Sequence, residues 1–150
     1  MRRQDRGISL EASMALLEDG EYGIISSVGE DGQPYGVPVS HILHEGCVDF
    51  HSATEGHKLV NFENCNQVSF CVVGKTKILP DKFSTEYESV IVSGRITERL
   101  GPEKFRSLQA LVAKYSPEHL EIGDTYIEAN QDHTRVFSIS IDHITGKARK

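Results

Sequence analysis

The sequence predicts a mainly β protein with inserted helices, built on a six-stranded antiparallel barrel. Short segments rich in β-branched residues alternate between apolar and polar positions, and turn residues between most of them indicate hairpins. Helical patterns interrupt only a few connections, so the strands follow one another too directly for repeated β-α-β units. With 150 residues, of which 38% are hydrophobic, the chain suits a single domain over residues 1–150.

The first half of the chain contains one clear helix and three strands by this pattern. Ser9 is a suitable N-cap for a helix over residues 10–18, and Gly20 would end that helix. Gly and acidic residues then mark two turns, which predicts a hairpin followed by a third strand. The three strands are predicted over residues 22–28, 35–43 and 47–52.

The middle of the chain predicts one helix and two strands. A helix begins near Gly56, and strands are predicted over 67–73 and 88–98. Pro80 is a breaker, so residues 75–86 between these strands are predicted to be a loop. Gly94 inside the later strand indicates a bulge or a close approach of another backbone.

The last third of the chain predicts one long helix and one strand. Gly101-Pro102 opens the helix, whose apolar residues recur at helical spacing until Pro117. Residues 118–132 are polar and poorly periodic, which is typical of a loop with some helix. Residues 135–141 alternate again and predict the sixth strand.

Charge and cysteine content restrict the partners and the compartment. A net charge of -6 argues against nucleic acid or an anionic membrane as the main partner, because both recruit basic surfaces. Cys47, Cys65 and Cys71 lack the spacing of a disulfide framework or a zinc knuckle, which favours a reducing compartment. No signal peptide or membrane-spanning stretch is present, so we expect a soluble, cytoplasmic protein.

The most informative segment is residues 50–58, FHSATEGHK, where an alternating strand meets a turn that opens a helix. The free N–H groups and the positive dipole end of a helix start favour an anion, and Lys58 with His57 beside it adds positive charge. This junction therefore predicts a phosphate site. Alternation also places His51 on the face opposite Phe50, where it would meet a ligand if Phe50 lies in the core.

Simpler roles are open for most of the other singled-out residues. A histidine in a strand is commonly structural, and His41, His44, His51 and His57 lack a recognisable metal-ligand spacing. Cys71 lies in an apolar strand, as a buried small hydrophobe does. We expect surface or packing roles for five histidines, His41, His44, His119, His133 and His143. A solvated N-terminal arm is expected for three arginines, Arg2, Arg3 and Arg6.

Four stretches of the chain resemble a known family when they are taken together. These are residues 33–40 (QPYGVPVS), 50–58 (FHSATEGHK), 88–95 (ESVIVSGR) and 142–147 (DHITGK), with 114–117 (KYSP) as a smaller point of likeness. In order and separation they resemble the FMN-binding split barrels related to pyridoxamine 5'-phosphate oxidase, and within these the nitroimidazole-resistance (Nim) proteins. The likeness covers nearly the whole chain.

The resemblance implies a six-stranded Greek-key split barrel that forms a homodimer, with two FMN molecules in the grooves between the subunits. The second strand would run along the flavin ring, the end of the third strand would lie beside the ring, and the Gly-His-Lys turn would hold the phosphate. Ser89 would reach the flavin from the partner chain, and the C-terminal segment would close over it. The implied cofactor-binding residues are Val37, Pro38, Val39, Ser40, His51, Ser52, Ala53, Gly56, His57, Lys58, Ser89, Gly146 and Lys147.

The function implied is an FMN-dependent oxidoreductase that reduces a small, planar, electron-poor compound of nitroimidazole type. His51 is its candidate catalytic residue, as a donor of a proton or a hydrogen bond to a developing anion. The C-terminal basic groups with which the oxidase holds pyridoxal phosphate have no match here. A non-catalytic flavin carrier and a haem-binding split barrel with a histidine ligand are the two alternatives. No dinucleotide fingerprint is present, so the electron donor is not identified.

Overall fold

The computed structural model describes residues 3–150, which form two antiparallel sheets that share one long strand. The helices are α1 (Leu10–Asp19), α2 (His57–Asn64), α3 (Gly101–Tyr115) and α4 (Leu120–Asn130). The strands are β1 (Gly23–Val28), β2 (Pro34–Val39), β3 (Ile42–His44), β4 (Cys47–Ser52), β5 (Gln67–Leu79), β6 (Ser84–Arg99), β7 (Arg135–Ser140) and β8 (His143–Arg149). The predicted mainly β, antiparallel split barrel is confirmed, with eight strands in place of six.

The shared strand is β6, and it organises both sheets. The hydrogen-bonded order is β2-β1-β5-β6-β7-β4-β3, and β8 pairs with β6 beside this path. Along one edge β6 pairs with β5, while its other edge pairs first with β8 and then, from Ile96 to Arg99, with β7. The sheets therefore diverge at the point where β6 passes from β8 to β7, which is the geometry of a split barrel.

Gly94 lies at this point of divergence. A Cβ atom at Gly94 would overlap the carbonyl oxygen of Ser140, so only glycine allows β7 to approach so closely. The neighbouring Arg95 N–H donates a hydrogen bond to Ser140 Oγ at 2.9 Å. Of the two possibilities predicted for Gly94, the structure shows the close backbone approach.

The main core lies between the two sheets and beneath α1 and α2. Alternate residues of the strands supply it, as expected for strands with one buried face. A second cluster packs α3 and α4 against β3 and β7. Its buried members are Ile42, Leu108, Leu111, Ile127 and Val136.

The prediction of a loop over 75–86 was wrong. There β5 continues to Leu79 and β6 begins at Ser84, joined by a 3-10 turn over Pro80–Lys82. Ile78 is 73% exposed and Phe83 98%, so this hairpin extends beyond the core. Without a buried face it lacks the alternation that predicts strands, although its backbone hydrogen bonds are paired.

Three smaller differences also come from tertiary contacts. The predicted strand over 35–43 is broken at Ser40 and His41 into β2 and β3, which belong to different sheets. The region 118–132 is mostly α4, because Gly123 allows that helix to approach Val112 closely. The strand β8 was not predicted, and it forms by pairing with β6 beneath the N-terminal segment.

The N-terminal segment is attached to the barrel along β8. Gly7 bridges to Lys147, and the Ile8 N–H donates to the Gly146 carbonyl. Arg6 is half-buried and its guanidinium donates to the Tyr87 hydroxyl at 3.4 Å, so the predicted solvated arm is wrong for Arg6. Arg3 pairs with Asp5 beside it. Arg2 lies outside the described residues.

The cysteines are free thiols, and all three are half-buried. Cys71 faces outward opposite Ile24 and Ile91 and is not fully buried as predicted, although partial burial still raises its pKa. Among residues 3–150, no helix combines the length and apolar character needed to cross a bilayer. Within the same residues, no group of three or more potential His, Cys, Asp or Glu ligands is assembled.

The five histidines with predicted packing or surface roles include His44, which is half-buried with its Nε2 3.8 Å from Glu45, and His41, whose role is the most defined. The His41 ring is fully buried, lies edge-on to Phe70, and donates through Nε2–H to the Leu17 carbonyl at 2.7 Å. Burial lowers its pKa from 6.5 to about 4. Its neutral ring therefore anchors α1 to the bend between β2 and β3. His119, His133 and His143 are exposed.

This burial predicts a loss of stability in mild acid. Because the folded pKa of His41 lies below the unfolded value, the unfolded chain takes up the proton first as the pH falls from about 6.5 towards 4. The loss attributable to this residue approaches ~3 kcal/mol at pH 4 and then levels off. Between pH 7 and pH 4.5, the free energy of unfolding measured with urea should decrease less in His41→Gln than in the parent protein.

The exposed His133 supplies the control for this experiment, because His133→Gln should keep the pH dependence of the parent. An identical pH dependence in His41→Gln and the parent would remove His41 as the source of the acid sensitivity.

Candidate functional site

The predicted phosphate site lies where β4 turns into α2. Gly56 has φ 147° and ψ 159°, a conformation that is essentially restricted to glycine, and it is the N-cap of α2. Within the described residues no side chain caps this helix. The first N–H groups of α2 therefore lack the side-chain acceptor that usually stabilises a helix start.

The orientation of α2 is fixed from below. Leu59 and Phe62 are buried in the main core. Asn61 is also buried, and its side-chain amide donates to Ser27 Oγ at 3.1 Å, which ties α2 to β1. The helix start is thus held rigidly, and a ligand bound there would not have to order it.

Two further groups at this junction favour an anionic ligand. Ser52 is buried, and among residues 3–150 its hydroxyl has no hydrogen-bond partner, a state that costs free energy unless a ligand supplies one. Lys58 is half-buried on the first turn of α2, where a positive charge opposes the helix dipole unless an anion is present. Ala53 is exposed in the turn between them.

The second strand reaches the same junction. The Tyr35 ring on β2 lies 4.5 Å, centroid to centroid, from the exposed His57 ring. In the described chain β2 pairs with β1 alone, so one of its edges keeps unpaired backbone groups. Val37 and Val39 pack against the core, whereas Pro38 and Ser40 are exposed. The structure thus brings β2, the end of β4 and the start of α2 together.

His51 points to the face of β4 opposite Phe50, as predicted. Phe50 is fully buried in the core, whereas His51 is exposed on the side of α3 and α4. Partial burial, and secondly the positive charge of Lys58, lower the pKa of His51 below 6.5. The imidazole is therefore neutral at neutral pH, which suits a hydrogen-bond donor better than a proton donor.

A groove of about 390 Å³ opens beside His51, between helices α3 and α4. We call it the α4 groove. Its walls are mainly apolar, and Ser40 lies at its edge together with His51. The groove is therefore continuous with the residues predicted to line a flavin ring.

Ser89, Gly146 and Lys147 lie elsewhere in the chain. They meet across β6 and β8, and three strands separate β8 from β2 in the hydrogen-bonded order. Gly146 is buried, and a Cβ there would overlap Ser13 and Ile8, so its glycine has a packing reason within the chain. A single chain thus does not bring these three residues to α2, and their predicted contact with a flavin would require a partner subunit.

Lys114 and Tyr115, at the end of α3, make hydrogen bonds that the sequence did not predict, since Tyr115 was expected only as part of the apolar stripe of this helix. Lys114 Nζ donates to the carbonyls of Gly20 and His41, at 2.7 and 3.0 Å. The Tyr115 hydroxyl accepts from the His41 N–H at 2.9 Å and lies 2.7 Å from the Glu21 carbonyl as a donor. These bonds fix the bend at Ser40, next to the candidate site.

A family model described as pyridoxamine 5'-phosphate oxidase matches residues 9–148. The chain belongs to this family. The match includes every predicted site residue, from Val37 to Lys147, and the fold of two sheets around β6 is consistent with it. No curated protein matches the chain.

Solved structures show the same fold at low sequence identity. A candidate 5-nitroimidazole antibiotic resistance protein from Bacteroides thetaiotaomicron has a TM-score of 0.78 and 19% identity, covering 95% of this chain and 86% of that one. An FAD and heme binding protein from Mycobacterium smegmatis has a TM-score of 0.79 and 18% identity, covering 95% and 72%. A heme storage protein from Vibrio cholerae has a TM-score of 0.67 and 10% identity, covering 94% and 96%. The pyridoxamine 5'-phosphate oxidase fold thus occurs with more than one cofactor.

The backbone of Gly56 predicts a defined cost for any side chain. Gly56→Ala should lower the free energy of unfolding by about 1–3 kcal/mol, because a Cβ is strained at this φ although Leu59 leaves space for it. Gly36→Ala on β2, where φ lies outside the strained region, should change stability by less than about 1 kcal/mol. Urea unfolding measures both, and equal effects would show that the turn does not depend on the conformation of Gly56.

Proposed function

We propose that this protein is an FMN-dependent oxidoreductase that binds the FMN phosphate at the start of α2. The observation that supports the proposal most directly is the group of three features at this junction. They are an uncapped helix start, the buried hydroxyl of Ser52 without a partner, and the half-buried Lys58. A phosphate is an acceptor with enough oxygens to satisfy all three.

The distribution of charge on the chain restricts anion binding to the start of α2. The chain as a whole carries a net charge of -6, so its surface does not attract anions in general. At the α2 start the helix dipole, the N–H groups and Lys58 all favour negative charge. His57 is beside them and completes the predicted basic pair.

The flavin ring would extend from the phosphate along β2. The unpaired edge of β2 offers backbone N–H and C=O groups, which suit the edge of an isoalloxazine ring. Val37, Pro38, Val39 and Ser40 form this part of β2 and the bend after it. The bonds from Lys114 and Tyr115 hold the bend in place, so the strand is preorganised for a rigid planar ligand.

Once bound, FMN would supply the redox chemistry, and the protein would bind it, orient it and control access to its exposed face. An acceptor that takes up two electrons also takes up two protons, of which one would arrive with the hydride of a reduced nicotinamide and the other from solvent. His51 is neutral at neutral pH and would donate its N–H as a hydrogen bond to an oxygen that gains negative charge. We propose this role in place of proton donation.

A second copy of the chain would complete the site. Ser89 and Lys147 lie far along the sheet from β2, so they would reach a flavin bound by the partner subunit and not the one bound by their own chain. The outward face of the central strands also carries exposed apolar residues, with Val73 60% and Ile91 47% exposed. Burial of this face against its equivalent would account for a homodimer. A cytoplasmic location stays a prediction.

The phosphate proposal predicts a selective loss of affinity in Lys58→Met. The protein should copurify with a yellow flavin that mass spectrometry identifies as FMN. Removal of the charged donor should weaken FMN binding by roughly 10- to 100-fold, because hydrogen bonds to charged groups contribute about 1.5–3 kcal/mol. Riboflavin has no phosphate, so its affinity should be unchanged in the same fluorescence titration.

The exposed Lys82, in the turn between β5 and β6, provides a matched control, and Lys82→Met should bind FMN as the parent does. Equal losses for FMN and riboflavin in Lys58→Met would contradict a phosphate contact.

Turnover distinguishes the enzyme from the two alternatives. Anaerobic addition of NADH or NADPH should bleach the bound flavin, and a nitroaromatic or quinone acceptor should restore its colour. Failure with every acceptor would favour a flavin carrier, and a Soret band in place of a flavin spectrum would favour haem. His51→Gln should keep the flavin content and lower the reoxidation rate.

A further inference from the structure

The α4 groove has the dimensions of a small-molecule site. Its volume is about 390 Å³, within the range of pockets that enclose organic ligands. It lies between α3 and α4 on one side and His51 on the other. Because Ser40 and His51 border both the groove and the proposed ring site, a ligand in the groove would lie next to the flavin.

The lining of this groove is uncharged. In the described part of the chain, no Asp, Glu, Lys or Arg side chain lines it. The walls consist mainly of aliphatic and aromatic side chains, and the other lining residues are uncharged and polar, among them Ser116, Gln131 and Thr134. The apolar residues are Leu108, Leu111, Val112, Tyr115, Tyr126 and Ile127. A charged ligand would lose hydration here without meeting an opposite charge, whereas an apolar ring would gain from burial.

A few polar groups remain free to orient such a ring. For His51, no hydrogen bond within residues 3–150 occupies its ring nitrogens, so its N–H is available to an oxygen of the ligand. Asn130 lines the groove, and its side-chain N–H donates to the Tyr126 carbonyl at 2.9 Å, which leaves the side-chain oxygen as a free acceptor among the described residues. This combination suits an uncharged ring that carries carbonyl or nitro oxygens.

We infer that the α4 groove binds the electron acceptor, and that it selects uncharged quinone-like rings over phosphorylated or sulfonated ones. The inference rests on the proposed function for the electron supply. Over the whole reaction a quinone would gain two electrons and two protons and leave as the hydroquinone. A reduced nicotinamide would supply a hydride through the bound flavin and leave oxidised, and solvent would supply the one remaining proton.

Tyr126 is the residue of the groove that can be changed with least effect on the fold. It is 66% exposed on α4, whereas Leu111 and Ile127 are buried in the second core cluster. We expect Tyr126 to form one wall for a ring by stacking. It is therefore the specificity-determining position that we would test.

The experiment compares 2-methyl-1,4-naphthoquinone with its 3-sulfonate, a pair that shares a ring and differs in charge. Binding to the purified protein is followed by amide chemical shifts, with or without flavin present. The neutral quinone should shift the amides of Leu111, Tyr126 and Ile127 and bind at least tenfold more tightly than the sulfonate. In the reduced flavoprotein it should also reoxidise the flavin at least tenfold faster at low acceptor concentration.

Substitutions on α4 then test the position of the ligand. Tyr126→Ala should raise the KM for the neutral quinone severalfold, with the flavin content unchanged. Tyr126→Arg should reduce the ratio of the affinity for the neutral quinone to that for the sulfonate. Ile122→Ala is the control, because Ile122 is 67% exposed on the same helix and does not line the groove.

The outcomes separate the two proposals. If the protein does not bind flavin, quinone-induced shifts at the groove would support quinone binding there and contradict the proposed function. A flavoprotein whose groove amides do not respond, or respond equally to both quinones, would overturn the inference and leave the flavin site standing.

Discussion

The passage of β6 from one sheet to the other is the constraint on which the rest of the structure depends. At Gly94 the backbone of β7 approaches so closely that no side chain fits, and Ser140 then bonds to Arg95 across the gap. Beyond this point the edge of β6 that paired with β8 pairs with β7. Because β4 pairs with β7, the position of β4 relative to β1 and β2 follows from this one contact.

The two faces of β4 contact different parts of the molecule. Phe50 is fully buried in the core, and Ser52 is buried at the end of the strand, before the turn into α2; Asp49 and His51 lie on the face towards α3. Asp49 is fully buried and accepts a hydrogen bond from Ser107 at 2.7 Å, with Arg99 Nε 3.4 Å away. This contact fixes α3 over β4, so the groove beside His51 has a rigid wall.

The sequence predicted the elements that have a buried face, and it missed those without one. The strands around Phe50 and Val92 showed alternation because one side of each is in the core. The β5–β6 hairpin tip and β8 depend on backbone pairing, which leaves no pattern in the side chains. For α4, the apolar contacts of Ile127 are with α3 and become visible only after folding.

The same distinction holds for the candidate site. The Gly-His-Lys turn was predictable, because helix starts and positive-φ glycines have local sequence signals. The buried hydroxyl of Ser52, the lowered pKa of His51 and the uncharged groove depend on residues far apart in the chain. Local patterns carry no information on such neighbours. For Ser89 and Lys147 even the fold of one chain is not enough, because their predicted role needs a second subunit.

A crystal structure of the protein reconstituted with FMN would show directly whether the start of α2 binds the phosphate. The phosphate oxygens should lie within hydrogen-bond distance of the His57 and Lys58 N–H groups and of Ser52 Oγ. The ring should lie along β2, with Ser89 of a second subunit beside it. A phosphate directed into solvent or held by other residues, with the start of α2 unoccupied, would contradict the proposed phosphate site.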